Sequence, residues 1–425
     1  MPVNSRSAFP SHCLWRISQF TMLALTLTVS SAALGQNDQE QSGDLQTIDV
    51  AGTSHQLVAP KGVQVEKIAS LDSPRMISIG LDGEMFIGST SGSIYRSAPP
   101  YDQASALAEI GDYPNSVIQR GDHLYVATTT ALLRADYQAG ASLSADDFKE
   151  VAKLPGGSGH NTRTLAVGPD GRIHLSLGIQ GNCSDQFIGE GYGFADRRGG
   201  IMVLDESGDS PQWQPYATGL RNPVGLAWNH EGVLFATNNG PDHWGYEVPR
   251  EVVVRTEEGS FHGMPWFQWV DGEYRRDDCV NSEPPHSADS IAAPAATLPA
   301  RSAPLGMDFL PEGNGLALDA VVAVHGSWAT LPDGRASGDP ATRREPRIVG
   351  ITFDGQDQGK VNELLSGFQN EQGKRWARPT GIAFAPDGAL YFTSDSGDSG
   401  LYRVTFDGEP VGADTTLDDV SQSGE

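Results

Sequence analysis

One hairpin, repeated six times with variations, constrains this chain more than any other feature. Its clearest form is RPTGIAFAPDGALYFTSD from Arg378: a short apolar run holding a Gly, a Pro-Asp-Gly turn, then a second apolar run ending in Thr and Ser. Equally clear copies are SPRMISIGLDGEMFIGST from Ser73 and HNTRTLAVGPDGRIHLSLG from His160. Weaker ones are YPNSVIQRGDHLYVATT from Tyr113 and SAPLGMDFLPEGNGLALDAVVAVHGS from Ser302, and the sixth is GLRNPVGLAWNHEGVLFATNNGPDHWG from Gly219 to Gly245. Two short apolar runs around a tight Gly turn form a β-hairpin. The copies recur at intervals of about forty to eighty residues, one propeller blade of four strands plus variable insertions. Single strand-like runs lie between them, GSIYRS at Gly92, GGIMVLD at Gly199, RIVGITF at Arg347 and SGLYRVTF at Ser399, and would complete the blades. Apolar residues almost nowhere recur at helical spacing. The expected fold is all-β, a six-bladed β-propeller of four-stranded antiparallel blades; a jelly roll or two sandwiches would tolerate 50 Gly and 27 Pro but not repeat one hairpin.

The ends of the chain read differently. Arg6 and Arg16 precede an apolar stretch from Phe20 to Val29, then small residues and Ala33-Leu34-Gly35, so residues 1–36 are expected to be a cleaved signal peptide. That stretch is too short to span a bilayer comfortably, and no stable membrane insertion is expected. Export to the periplasm or the extracellular space follows. Residues 37–46 are expected to be a disordered linker, 47–410 the propeller, and 411–425 an acidic disordered tail. The runs TIDV and GVQVEKIA, near the start, are candidates to close the ring against the last blade. Once Cys13 leaves with the signal, Cys183 and Cys279 remain; sequence leaves open whether they pair, a pairing that would add up to about 4.7 kcal/mol in the entropic account. A net charge of −25 repels nucleic acid and anionic lipid, so a small molecule is the expected partner.

Both ends of a hairpin lie on the same side, which gathers particular residues at one mouth of the ring. His160, near neutral pKa, is a candidate general base, with hydrogen bonding to a neighbouring loop as the alternative. Arg163, Arg221 and Arg378 begin hairpins or lie next to their start, and can grip a carboxylate or an oxyanion, or form surface ion pairs. Asn239-Gly240-Pro241-Asp242 offers oxygens to a hard cation such as calcium, and is equally a common β-turn. In VAVHGSW, His325 and Trp328 follow an inner strand at the same end, where Trp328 can stack on a flat ligand or pack between blades.

These residues resemble the glucose/sorbosone dehydrogenase family, soluble six-bladed propellers that use pyrroloquinoline quinone (PQQ), and sit nearer its sorbosone-type branch. The resemblance spans about Gly62 to Phe406 and rests on the His160 and Arg378 hairpins, GLRNPVGLAW, NNGPD, GSFHGMPW and VAVHGSW, in family order. It implies that His160 is the general base, that Arg221 and Asn222 contact the quinone, that the carbonyls of Gly240 and Pro241 hold Ca2+ beside Asp242, and that Arg378 grips a PQQ carboxylate. The implied reaction is oxidation of an aldose or sugar aldehyde, with a soluble electron acceptor reoxidising the cofactor. Three positions depart from the pattern: Ile179 stands where an acidic residue steers the His, and Trp328 and Trp376 align with a Lys and an Arg that bind the quinone. A lactonase-like calcium-dependent hydrolase and a non-catalytic binding propeller are the alternatives.

Overall fold

The computed structural model describes residues 45–407 except 314, 315, 354, 356 and 357. The expected signal peptide and acidic tail, and residues 37–44 of the expected linker, lie outside the described residues. The first strand begins at Leu45, two residues before the expected propeller boundary. No helix among the described residues is long and apolar enough to cross a membrane.

Each of the six hairpins forms the two inner strands of a blade. Blade 1 comprises residues 74–109, blade 2 residues 116–153, blade 3 residues 165–218, blade 4 residues 223–298 and blade 5 residues 304–365, each a four-stranded antiparallel sheet in sequence order, with one short extra strand added to the edge of blade 3. Blade 6 takes its three inner strands from residues 377–406, and its fourth is Val63–Ser70 from the start of the chain, with Phe406 opposite Val63 and Gly400 opposite Ser70. The sequence expected this closure from GVQVEKIA; the other candidate run, TIDV, lies in Leu45–Ala51, which pairs in parallel on the outside of Val63–Ser70. Consecutive innermost strands touch all the way round, the last against the first.

The repeat has a physical cause visible where blades meet. In blade 4 the hydroxyl of Thr237 accepts from Gly225 N (2.8 Å) and donates to Leu305 O of the next blade (2.8 Å). In blade 6, Thr393 accepts from Gly381 N (2.8 Å) and donates to Arg75 O of blade 1 (2.7 Å). A Cβ on Gly225 or Gly381 would stand 2.3 Å from that same carbonyl, so only glycine allows the approach. Thus in blades 4 and 6 the inner-strand Gly and the Thr near the end of the second strand form one interblade joint, at the same offset in the two hairpins. Buried aliphatic and aromatic side chains fill the space between blades, each contributing roughly 1.5–3 kcal/mol on burial.

In a four-stranded meander, the connection entering the innermost strand and the one leaving the second strand emerge at the same end. Blade 4 adds a long excursion, residues 257–295, to that end. Ser260–Phe261 pairs in parallel with the outer strand of blade 3, so the excursion climbs that edge, and Met264 N then donates to Gly219 O (2.8 Å). Cys183 and Cys279 are joined by a disulfide (Cα–Cα 6.3 Å), tying the excursion to the loop that follows the second strand of blade 3.

Candidate active site

His160 ends the connection into blade 3, and its ring orientation is fixed by main chain. Its Nδ1 lies 2.6 Å from Ile179 O, an atom that only accepts, so Nδ1 carries the proton and Nε2 presents a lone pair. The expectation from sequence, that an Ile in place of a carboxylate leaves this His unsteered, is therefore corrected: the backbone carbonyl steers it and the side chain at 179 is immaterial. Burial, followed by the charge of Arg221 and then of Arg198 and Arg163, lowers the His160 pKa to about 4. The imidazole is neutral at pH 7, able to accept a proton at Nε2.

Arg221 and Asn222 enter blade 4 beside it. Arg221 is buried, with Nε on Asn182 O (2.6 Å), Nη2 on Asn182 Oδ1 (2.9 Å) and Nη1 on Asn239 O (3.3 Å). Asn222 and His160 flank Gly178, where a Cβ would fall 2.4 Å from Asn222 Oδ1 and 2.5 Å from His160 Cβ. The buried Oδ1 atoms of Asn222 and Asn239 meet no donor among the described residues.

Arg163 does not join this group. Its side chain is fully buried and its guanidinium donates to the carbonyls of His160 (2.8 Å), Thr162 (3.0 Å) and Pro155 (3.1 Å). Burial, then the charge of Arg198, lowers its pKa to about 9. As a cofactor contact Arg163 is a correction: it props the loop that carries His160, as does Arg198, whose Nη2 also reaches His160 O (2.7 Å).

The Asn239–Asp242 loop rests on Glu251, which accepts from Gly240 N (2.5 Å) and whose pKa burial raises to about 7. Among the described residues no donor reaches the carbonyls of Gly240 and Pro241. The Asp242 carboxylate lies 2.9 Å from Arg301 Nη1 and 4.0 Å from Arg221 Nη2. Asp242 as a metal ligand is thus corrected; two guanidinium groups already compensate it. Among the described residues no three His, Cys, Asp or Glu side chains gather to hold a metal, so oxygens for a cation here are main-chain carbonyls and the two Asn amides.

Adjoining the His160 loop, blades 5, 6 and 1 supply a second cluster. Arg378 donates from Nε to His325 O and from Nη2 to Gly326 O, both at 3.0 Å. The His325 ring is tied up: its Nε2 donates to Asp395 (2.9 Å), which also accepts from Arg75 Nη1 (2.6 Å). Although burial opposes it, His325, Arg75 and Arg378 hold the Asp395 carboxyl far below the usual range, while burial keeps His325 neutral. His325 as a direct ligand contact is accordingly corrected to a support of Arg378. Arg75 Nη2 reaches Thr162 Oγ1 (3.4 Å), linking this cluster to the His160 loop.

Trp328 is 55% exposed beside this cluster, free to offer a flat face. Trp376 is not, being stacked between His55 (4.4 Å) and Phe368 (5.3 Å). Where the resemblance led to cations at these two positions, cations stand at neighbouring ones. Arg375 donates to Ser327 O (2.5 Å) and Arg344 O (2.9 Å), and burial, then Arg378 and Arg343, lower its pKa to about 10. Arg343 carries a buried Nε with no partner among the described residues. Sequence reading missed Arg75, Arg343, Arg375 and Asp395; Arg75 and Asp395 had a signal, since they stand at the start of the Ser73 hairpin and at the end of the Arg378 hairpin.

No family model matches the chain. An uncharacterised protein of Borreliella burgdorferi is 25% identical over 387 residues, 85% of this chain and 94% of its own length. Quinoprotein glucose dehydrogenase B of Acinetobacter calcoaceticus is 20% identical over 249 residues, 46% of this chain and 52% of its own. Among solved structures, the PQQ domain of pyranose dehydrogenase from Coprinopsis cinerea superposes with a TM-score of 0.65 at 18% identity, covering 83% of this chain and 98% of that one. The calcium structure of a Trichoderma reesei carbohydrate-active enzyme of family AA12 gives 0.68 at 17%, covering 86% and 100%. The PQQ-bound aldose sugar dehydrogenase of Streptomyces coelicolor gives 0.53 at 17%, covering 82% and 100%. The chain thus has the six-bladed propeller fold of these solved structures, and resembles them over nearly their whole length.

Proposed function

We propose that this chain is an exported oxidoreductase, dependent on PQQ and Ca2+, that oxidises an aldose or sugar aldehyde and passes electrons to a soluble acceptor. The observation that carries the reading is His160: a neutral imidazole, its proton fixed on Nδ1 by Ile179 O, with the Nε2 lone pair left to accept a proton and Arg221 beside it.

The residues present fit the cofactor. Arg343, Arg375 and Arg378 stand together, with Asp395 near Arg378 and Glu345 near Arg375 as acidic neighbours, which suits a planar tricarboxylate, and Trp328 offers it a face. The unpaired oxygens of Asn222 and Asn239, with the carbonyls of Gly240 and Pro241, suit a hard cation. When bound, PQQ would supply the two-electron acceptor and calcium a Lewis acid. His160 Nε2 accepts the proton of the substrate hydroxyl. Arg221 is buried, its charge offset by Asp242 at 4.0 Å and by Glu251, and it stabilises negative charge developing next to His160. Its charge also keeps His160 deprotonated, so base and electrophile support each other.

The lactonase-like alternative requires side-chain carboxylates converging on a metal, whereas this mouth is lined by arginines and by carboxylates already paired with them. Titrating purified protein with PQQ and Ca2+ while recording the quinone spectrum, then dye reduction over an aldose panel, tests the proposal. Quinone uptake with turnover supports it, and no uptake overturns it.

A further inference from the structure

Arg221 owes its placement to a residue outside the repeats. Two of the three recorded hydrogen bonds of its guanidinium go to Asn182, at O (2.6 Å) and Oδ1 (2.9 Å), and the same Oδ1 accepts from Asp242 N (2.8 Å). Two acceptors on one residue fix the plane of a guanidinium, not only its position. Yet Asn182 is exposed on a loop and gains no fixing from burial. Its order comes from two other connections. Cys183, the next residue, is bonded to Cys279. The Asn182 amide nitrogen lies 3.4 Å from His243 Nδ1, and His243 Nε2 is 2.9 Å from the buried carboxylate of Asp277. That carboxylate also accepts from Trp244 Nε1, Gln268 Nε2 and Cys279 N, each at 3.0 Å. The ring proton of His243 therefore sits on Nε2, leaving Nδ1 to accept from Asn182, which in turn settles which way the Asn182 amide faces.

We infer that Asn182 is a positioning residue for Arg221, held in place by the Cys183–Cys279 disulfide and by Asp277 acting through His243. The blade 4 excursion then serves as a covalently anchored clamp on the catalytic mouth. Cys279 is exposed, so the clamp is open to thiol reagents. This inference rests on the proposed function for its catalytic meaning, but its geometry is testable without cofactor.

The reporter is His160, whose surrounding charges are Arg221, Arg198 and Arg163, with Arg221 the strongest of the three. In apoprotein labelled at histidine, the NMR titration of His160, assigned by its loss in His160→Ala, is followed in four forms. Arg221→Met raises the midpoint. Asn182→Ala raises it too, because the guanidinium is released, and mild reduction of the disulfide shifts it the same way. In the Arg221→Met background Asn182→Ala adds nothing, the non-additivity expected of residues acting through one another. In holoenzyme, Asn182→Ala lowers kcat about 10²-fold, as for a misplaced catalytic group, with a smaller change in KM. The inference is overturned if the His160 midpoint of folded Asn182→Ala is unmoved, or moves equally in the Arg221→Met background. Should Asn182→Ala not fold, an unmoved midpoint after reduction of the wild-type disulfide overturns it instead. Failure to take up PQQ in the separate titration would sink the functional proposal while leaving this result intact.

Discussion

The two arginine clusters at the mouth are built from the same repeated hairpin and differ in what their guanidinium groups meet. On the His160 side, Arg163, Arg198 and Arg221 are buried and donate mainly to backbone and amide oxygens, with a carboxylate no nearer than Asp242 at 4.0 Å from Arg221. On the Arg378 side, Arg75 meets Asp395 directly, and Arg343, Arg375 and Arg378 crowd together beyond that pair. The first arrangement keeps a histidine neutral and leaves oxygens free for a cation. The second accumulates positive charge for an anion. On the function proposed above, one scaffold position would yield a base on one side and a carboxylate grip on the other, according to whether the adjoining loops contribute carbonyls or guanidinium groups.

The sharpest test removes the base. His160→Ala is expected to lower kcat by about 10²–10⁴-fold, the usual contribution of a positioned general base, with quinone uptake unchanged. A variant that loses uptake and turnover together would mean the two sides are not separable. The complementary change, Arg378→Ala, is expected to weaken quinone binding by about 1.5–3 kcal/mol, the range for hydrogen bonds to charged groups, and to change kcat at saturating cofactor much less. Spectroscopic titration of both variants decides whether proton transfer and anion binding divide as drawn.

Acid should distinguish the sides less strongly, because each contains a buried neutral histidine. His160 and His325 both have pKa values lowered to about 4, chiefly by burial, below the value near 6.5 expected in the unfolded chain. The unfolded form therefore takes up protons first as pH falls. The stability contributed by keeping these rings neutral is present above about pH 6.5 and is lost progressively towards pH 4. Denaturant unfolding at pH 7, 5.5 and 4.5 should show this decline, and replacing His325 by Gln should flatten it. On the catalytic side, kcat should hold well below pH 6; an acid limb centred near pH 6.5 would mean that Arg221 and burial do not act on His160 as described.

The sequence revealed the ring because its hairpins are local and repeated: two apolar runs around a Gly turn in every copy, with the Gly and Thr of an interblade joint at the same offset in blades 4 and 6. It also revealed which residues stand at the mouth, since both ends of a hairpin share a side. It did not reveal what those residues touch. Ile179 looked like the loss of a steering group because its side chain is apolar, but the steering atom is a carbonyl that every residue carries. Arg163 shares a position with functional neighbours and is turned under its own loop. Asp242 looked free because Arg301 is distant in sequence. Arg343 and Arg375 lie in irregular loops with no repeat to mark them, and the Cys183–Cys279 bond needed a distance that only the folded excursion supplies.

The smallest effects should come from the joints themselves, and here the two sides can be compared at matched geometry. Thr237→Val and Thr393→Val each remove one buried hydroxyl that serves a Gly N and a carbonyl of the next blade. Val keeps the shape, so each is expected to cost about 1–3 kcal/mol, for polar partners left unmet, as measured by denaturant unfolding. The consequences for the site differ. Thr237 anchors Leu305, an apolar residue of the blade 5 strand, so its loss should lower stability and leave quinone affinity unchanged. Thr393 anchors the main chain of Arg75, whose side chain holds Asp395 and reaches Thr162. Its loss should therefore lower stability by a similar amount and weaken quinone binding as well, by less than Arg378→Ala does. Equal affinities in the two variants would show that the cationic side is held by its own loops rather than by the ring beneath it.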